Sequence, residues 1–528
     1  MSSSASPSPW APFGYRAFAL LWTATLISNI GTWMHEVGAG WLMTELSPSP
    51  AVVSLVQAAT TGPVFLFALL AGALADRLDK RRMLIVINMG LTAVVLSLAV
   101  LVQLEAMTPG LLIFITLLVG TGAAFMAPAW QAVVPSLVPR DTLQPAIALN
   151  SMGINISRAI GPALAGLLIA TVGLSAPFFL NALSHVVIII ALLAWKPEPQ
   201  PARPKRPIVG EMLTGLRHVA HNGPLKATLV RAAAFFVFAS AYWALLPLIA
   251  RSIEGGGAQL YGLLLTMVGG GAVAGALLLP QLKKRFESNA IAVLGTLGTA
   301  AALGLLAVAA LPAIAVAAAF LGGFSWIAVL TTFNVSAQTA LPNWVRARGL
   351  AVFLMVFFGS MSAGAAIWGQ VASATSLQVT LIVAALGLLV GIPLTRRARL
   401  GSGEDMDLTP ALQWPAPSVA EGIETTDGRG PVLVTVEYEI DPGDEAPFLE
   451  ALRNFAEERW RDGATDWEVY QSAENPRLWI EAFRLSTWGE HLAQHERMTK
   501  HDHQLQGEVN AFDQREAGPV VRHFLGAV

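Results

Sequence analysis

Two stretches of otherwise apolar sequence carry polar side chains at helical spacing. Thr25, Asn29, Thr32 and Glu36 recur every three or four residues and share one helix face, as do Ser151, Asn155 and Arg158 further along. A carboxylate inside an apolar layer can take up and release a proton as its surroundings change. Glu36 is the one carboxylate that the pattern puts well inside the first half of that layer, which makes it the candidate protonatable group. An arginine at mid-helix costs roughly 2.5–3.5 kcal/mol to insert, so Arg158 calls for a wet cavity or a counter-charge. Each has a plainer alternative: Glu36 solvated at the outer end of its helix, and Arg158 near the other end, snorkelling to the interface. Asn181 and His185 read as a buried, satisfied polar pair rather than as a proton relay.

The elements that must position these groups follow from composition. Of 528 residues, 54% are hydrophobic and 13% charged, against roughly 25% charged in soluble domains, so lipid must solvate much of the chain. Runs long enough for a hydrocarbon core of about 30 Å recur from Phe18 to Leu394. They predict twelve transmembrane helices, near 16–44, 51–75, 83–105, 109–133, 143–171, 175–195, 227–250, 259–281, 290–311, 313–337, 349–371 and 376–395. Helices are the open-ended choice, because a lipid-exposed strand edge leaves peptide groups unpaired. The 33 basic and 35 acidic residues nearly cancel, which gives no global field for nucleic acid. Cysteine is absent, which excludes disulfides, zinc-thiolate sites and thiol nucleophiles.

Charge alternates between the breaks. Those after the even-numbered helices carry DRLDKRR (76–82), Arg140, Lys196 to Lys226, KKR (283–285), Arg346 with Arg348, and RRAR (396–399), whereas the odd-numbered breaks carry only Arg251. The positive-inside rule then places both termini and the C-terminal domain in the cytoplasm of a multi-pass inner-membrane protein. The polar start, without a basic segment or small-residue cleavage site, reads as a short tail (1–15) with Met1 retained. A six-helix half (16–195) precedes a central loop (196–226), which opens on a proline-rich stretch and continues as an amphipathic helix over Ile208 to Val219. The second half runs over 227–399. QAVVPSLVPRDTL (131–143) aligns with QTALPNWVRARGL (338–350), and GALADRLDKRR (72–82) with GALLLPQLKKR (275–285), which points to a duplicated six-helix unit.

On the fifth helix Gly153, Ser157, Gly161 and Ala165 recur every four residues within GINISRAIGPALAG (153–166), a flat face for close packing on another helix. Pro162 removes a backbone hydrogen bond and permits a bend. After a polar linker (400–430), residues 431–528 read as a soluble β-α-β-β-α unit with a short final strand near Val520 to Phe524: strands at 432–440, 467–471 and 477–485, an amphipathic helix through Phe448, Leu452 and Phe455, and a second helix over 488–512. That second helix holds His491, His495, His501 and His503; the first two, one turn apart, could ligate a metal, but a solvated helix face is the preferred reading and no metal site or cofactor is assigned.

GALADRLDKRR resembles the loop signature of the major facilitator superfamily, with Gly72, Leu74, Asp76, Arg77, Arg81 and Arg82 matching and Asp79 standing in place of a glycine. GINISRAIGPALAG is similar to the Gly-x8-Gly-Pro signature of exporters in that superfamily, contributing Gly153, Gly161, Pro162 and Gly166 to helix packing and bending. With ISNIGTWM and GWLMTELSPSP, the first 400 residues resemble the branch containing the enterobactin exporter and macrolide-type efflux proteins. The resemblance implies an all-α, two-half membrane fold that moves a small amphipathic molecule outward by alternating access, coupled to protons, with the 72–82 loop as a cytoplasmic latch and Asn29, Glu36, Asn155 and Arg158 lining the path. The last hundred residues resemble dimeric ferredoxin-like barrels that include small monooxygenases, which implies a homodimer contact or a bound ligand.

Overall fold

The structure is a computed structural model that describes residues 8–196, 215–401, 407–409, 411, 417, 419–420, 423 and 425–527. Twelve of its helices are long and apolar enough to cross a membrane. These are α1 (Arg16–Leu46), α2 (Pro50–Arg77), α3 (Lys80–Gln103), α4 (Pro109–Val133), α5 (Leu143–Thr171), α6 (Ala176–Ala194), α7 (Gly223–Ser252), α8 (Ala258–Lys283), α9 (Ser288–Ala307), α10 (Pro312–Thr339), α11 (Arg346–Ala374) and α12 (Leu377–Leu394). Their ends carry local stop and start chemistry. Thr108 and Ser376 accept from the backbone N–H of Leu111 (3.3 Å) and Val379 (3.1 Å), satisfying donors that the first helical turn leaves free. Pro50 and Pro109 occupy first-turn positions, where no N–H is needed.

Two compact units divide the chain: one comprises Met1–Lys205, Leu229–Asn334 and Phe353–Arg399, the other Arg206–Thr228, Val335–Val352 and Leu400–Val528. The first unit is held by apolar packing between helices. Phe18, Leu21, Leu84, Val133, Leu149 and Leu192 form one of its buried clusters, and Phe236 meets Trp326 and Phe357 edge-on with centroids 5.3 and 4.5 Å apart. The amphipathic helix expected over 208–219 falls mostly outside the described residues, of which only 215–220 are helical.

The second unit contains a four-stranded antiparallel sheet in the order β2-β3-β1-β4. Its elements are β1 (Val432–Glu439), α13 (Glu445–Arg461), β2 (Thr465–Gln471), β3 (Leu478–Leu485), α14 (Trp488–Arg497), α15 (Lys500–Asn510) and β4 (Val520–Leu525). Val432, Val434, Val436 and Tyr438 alternate into a core with Phe448, Leu452 and Phe455 of α13. The single helix expected over 488–512 is broken. Thr499 starts a new one by accepting from Asp502 N while the Asp502 carboxylate accepts from Thr499 N, a reciprocal cap that ends α14 at Arg497.

Beneath the sheet lies a buried charge. Glu481 accepts from Arg459 Nε at 3.0 Å, from Trp467 Nε1 at 3.0 Å and from Tyr438 Oη at 3.2 Å. The Arg459 guanidinium sits 4.5 Å from the Phe455 ring centroid and 4.6 Å from that of Phe483. Burial, reinforced by the Glu481 charge, pushes the Tyr438 phenol far above its ordinary pKa, so it acts as a fixed donor. Glu481→Ala strands Arg459 without its carboxylate, a change that costs about 3–5 kcal/mol. Hydrogen exchange on the full chain should then show protection over Val432–Glu439 and Leu478–Leu485 falling about 100-fold or more; protection left intact would show that the pair does not hold the sheet.

Candidate functional site

The polar groups singled out from the sequence lie on α1 and α5 of the first unit, which pack against each other. Trp22 Nε1 donates to Leu149 O at 2.9 Å, and Ser157 Oγ lies 3.4 Å from Leu26 O. Gly161 makes the contact close: a methyl group there would stand 2.5 Å from Trp33 Cβ and 3.1 Å from Ile30 O. Gly153 faces the Trp22 ring of α1, where a methyl group would stand at ordinary contact distance, 3.4 Å from Nε1. The face read as Gly153, Ser157, Gly161 is therefore the α1 contact.

Another side of α5 packs on α8. A methyl group on Gly262 would meet Pro162 O at 2.5 Å, one on Gly166 would meet Ala258 O at 2.9 Å, and one on Gly269 would meet Arg158 O at 3.1 Å. Pro162 stands within α5 opposite Gly262, and Gly166 belongs to this second contact rather than to the first. Helix α5 is wedged between one helix of each six-helix half.

That wedge brings Glu36 of α1 and Arg158 of α5 within electrostatic reach of one another. No ion pair under 4 Å joins them among the described residues, and Arg158 Nε is buried without a hydrogen-bond partner. The guanidinium carbon lies 5.5 Å from the Trp33 ring centroid, which gives it a cation–π partner from α1. Asn29 is half-buried on α1, and Asn155 donates to Ser151 O of its own helix at 2.9 Å. Glu36 and Arg158 thus form the centre of the group, with the asparagines on the same two helices.

Two nearby groups escaped the sequence reading, as did the partner of a third. His35 is buried beside Glu36, with its ring edge-on to Phe178 at 5.3 Å and Nδ1 unpartnered. Its adjacency to Glu36 within an apolar run was the available signal. Tyr261 of α8 also lies within reach of the Glu36 charge, and a methyl group on Gly40 would touch its hydroxyl at 2.8 Å. His185 bonds not to Asn181 but to Asn88 Oδ1 of α3, at 3.0 Å between buried side chains, a partner that no local spacing reveals. A separate apolar hollow of about 140 Å³ between α8, α9 and α10, lined by Leu282, Ile291 and Phe324, contains none of these groups.

At the 72–82 loop, Arg81 donates from Nε to Leu192 O at 2.7 Å and from Nη2 to Leu193 O at 2.8 Å, closing the free carbonyls at the end of α6. Asp79, the departure from the glycine of the family pattern, has φ −61° and caps α3 by accepting from Arg82 N at 2.7 Å. No left-handed residue is needed at that turn. Gly72 has open space where a methyl group would stand, Arg77 and Arg82 are exposed, and Asp76 lies in α2, its side chain outside the described residues.

In the second unit the α+β domain lies against the segments 215–228 and 335–352. Arg497 sits 4.6 Å from the Trp344 ring centroid, Trp344 meets His218 edge-on at 5.3 Å, and Arg217 Nη1 donates to Gly463 O at 3.2 Å. Asn222 Nδ2 donates to Ala340 O at 2.8 Å and Thr228 pairs with Ser336 at 2.9 Å, tying the two segments to each other. Desolvation, with Arg461 as the next influence, lowers His218 to about 3, which keeps it neutral.

Twelve helices long and apolar enough to cross a membrane, with α5 packed closely between α1 and α8, define a protein of the major facilitator fold. The chain belongs to the transmembrane secretion effector family, whose model matches residues 7–528 and so takes in the α+β domain. It is 26% identical over 396 residues to the enterobactin exporter EntS of Escherichia coli O139:H28, covering 72% of this chain and 93% of that one. It is 24% identical over 268 residues to the staphyloferrin A transporter of Staphylococcus aureus, covering 50% of this chain and 66% of that protein. The fold matches a variant of the nucleoside transporter NupG with a TM-score of 0.63 at 13% identity, over 72% of this chain and all of that one.

Gly262 and Gly270 separate packing from helix propensity, since Gly262 faces the α5 backbone and Gly270 faces open space. In detergent, Gly262→Val should lower Tm by several degrees more than Gly270→Val, in line with an overpacking cost of about 1–3 kcal/mol. Equal shifts would mean that α5 and α8 are not in backbone contact.

Proposed function

We propose that the protein is a proton-coupled exporter of a small amphipathic compound, of the siderophore or drug class, working by alternating access. The observation that carries this reading is the juxtaposition of Glu36 with Arg158 between α1 and α5, beside the α8 contact. A carboxylate near an arginine in an apolar layer exchanges a proton when the path around it opens to one side or the other. The export names of EntS and the siderophore in both relatives' names support the direction and the substrate class. Asn29 and Asn155 add hydrogen-bonding capacity to the same path.

The alternating charge of the breaks supports a cytoplasmic location for both termini and for residues 431–528, with the protein in the inner membrane. Gly72, Asp76, Arg77, Arg81 and Arg82 form the latch in this reading, with Arg81 anchored on the last carbonyls of α6. A second reading concerns the soluble domain. Its contacts through Arg497 with Trp344 and Arg217 with Gly463 favour a regulatory module seated on the 215–228 and 335–352 segments over an independent enzyme.

Inside-out proteoliposomes supplied externally with a panel of catecholate chelators and macrolides provide the test. Uptake should stop when the pH gradient is collapsed, and Glu36→Gln should abolish the gradient-driven part at normal protein abundance. Uptake that continues undiminished in either arm would refute proton coupling through Glu36.

A further inference from the structure

Sequence spacing alone sets His491 and His495 one turn apart on α14 and reads them as a solvated face. The fold changes their surroundings in two ways. His491 is buried at 2% exposure. A third imidazole, His523, arrives from the edge strand β4, where it pairs with Val434 of β1. One ring nitrogen from each of the three histidines falls within 4.8 Å of the other two. The His491 ring centroid lies 4.7 Å from those of both His495 and His523.

Neither ring nitrogen of His491 has a hydrogen-bond partner among the described residues. Gln494 lies close enough to favour a proton on His491, yet it makes no hydrogen bond with either nitrogen. A buried imidazole that satisfies neither nitrogen is costly unless something else supplies the partner. Burial first, then the neighbouring His495 and His523, lowers His491 to about 3, and burial lowers His523 as well. Those two rings are therefore neutral at pH 7, the form in which a ring nitrogen offers its lone pair.

We propose that His491, His495 and His523 bind one late first-row divalent metal ion of the zinc class in the soluble domain. Imidazole nitrogen selects zinc, cobalt, nickel, copper or ferrous iron over magnesium and calcium, which prefer oxygen donors. No carboxylate belongs to the group. A tetrahedral zinc–nitrogen bond of about 2.0–2.1 Å puts ligand atoms about 3.3 Å apart, so the rings close inward by about an ångström through side-chain rotation. Buried His491 forms the floor, half-buried His495 and His523 form the rim, and Trp488, 5.3 Å from His491 and 6.2 Å from His523 between ring centroids, walls one side. Three protein ligands leave a fourth position, open from the rim, for water or an exchangeable ligand. The site lies within the soluble domain and stands or falls independently of proton coupling at Glu36.

The test uses the tag-free full chain in detergent, stripped with a chelator and titrated with Co2+, whose visible absorption reports tetrahedral nitrogen ligation. One equivalent should bind, and Zn2+ should displace it. His491→Ala and His523→Gln should each weaken Co2+ binding by at least tenfold, whereas the double variant His501→Ala/His503→Ala on α15 should bind as wild type. Metal-free circular dichroism and Tm keep the result readable: a variant that stays folded, yet no longer gains Tm on adding Zn2+, supports the site. Absence of Co2+ and Zn2+ binding to the wild type, or binding unchanged by His491→Ala, would overturn it.

Discussion

Backbone-to-backbone packing of α5 against both α1 and α8 is the constraint on which the membrane unit depends. Lipid tails are as apolar as leucine, so helices in a bilayer gain little from hiding apolar side chains and instead associate where small residues let their backbones close. Gly161 provides this toward α1, and Gly166, Gly262 and Gly269 between α5 and α8. Only with α5 held this near to α1 do Glu36 and Arg158 come within reach of each other, and only then is a buried arginine tolerable. The site is a consequence of the packing rather than an addition to it.

The α+β domain solves a different problem with a different device. Its sheet is amphipathic in the ordinary way, with Val432, Val434, Val436 and Tyr438 turned inward. A buried Arg459–Glu481 pair sits within that core, satisfied by Trp467 and Tyr438. Such a pair adds little net stability compared with apolar packing but penalises its own disruption heavily. The family model's extension to Val528 fits a domain retained together with the membrane part.

Long-period features were legible in the sequence: twelve apolar runs, the order of strands and helices after Val432, and the glycine face of α5 all follow from local periodicity. What was not legible depends on distant partners or on single caps. Nothing near His185 announces Asn88, 97 residues away. Thr499 looked like one more polar residue in a helix until its reciprocal bond with Asp502 ended one helix and began another. His523 sits on a short strand whose alternation carries no hint of His491 and His495 across the fold. Asp79 stands where the family pattern has glycine, and the sequence did not reveal that its carboxylate caps α3 with ordinary backbone angles.

The central claim, that Glu36 and Arg158 act as one unit across the α1–α5 contact, is tested most directly by exchanging their charges. Efflux of catecholate chelators and macrolides is measured from cells lacking their own pumps, at matched membrane abundance, for Glu36→Arg, Arg158→Glu and the double variant. The account predicts loss of efflux in each single variant and partial recovery in the double one, because only the double variant restores opposite charges at that distance. Normal efflux in either single variant, or a double variant no better than the singles, would contradict it.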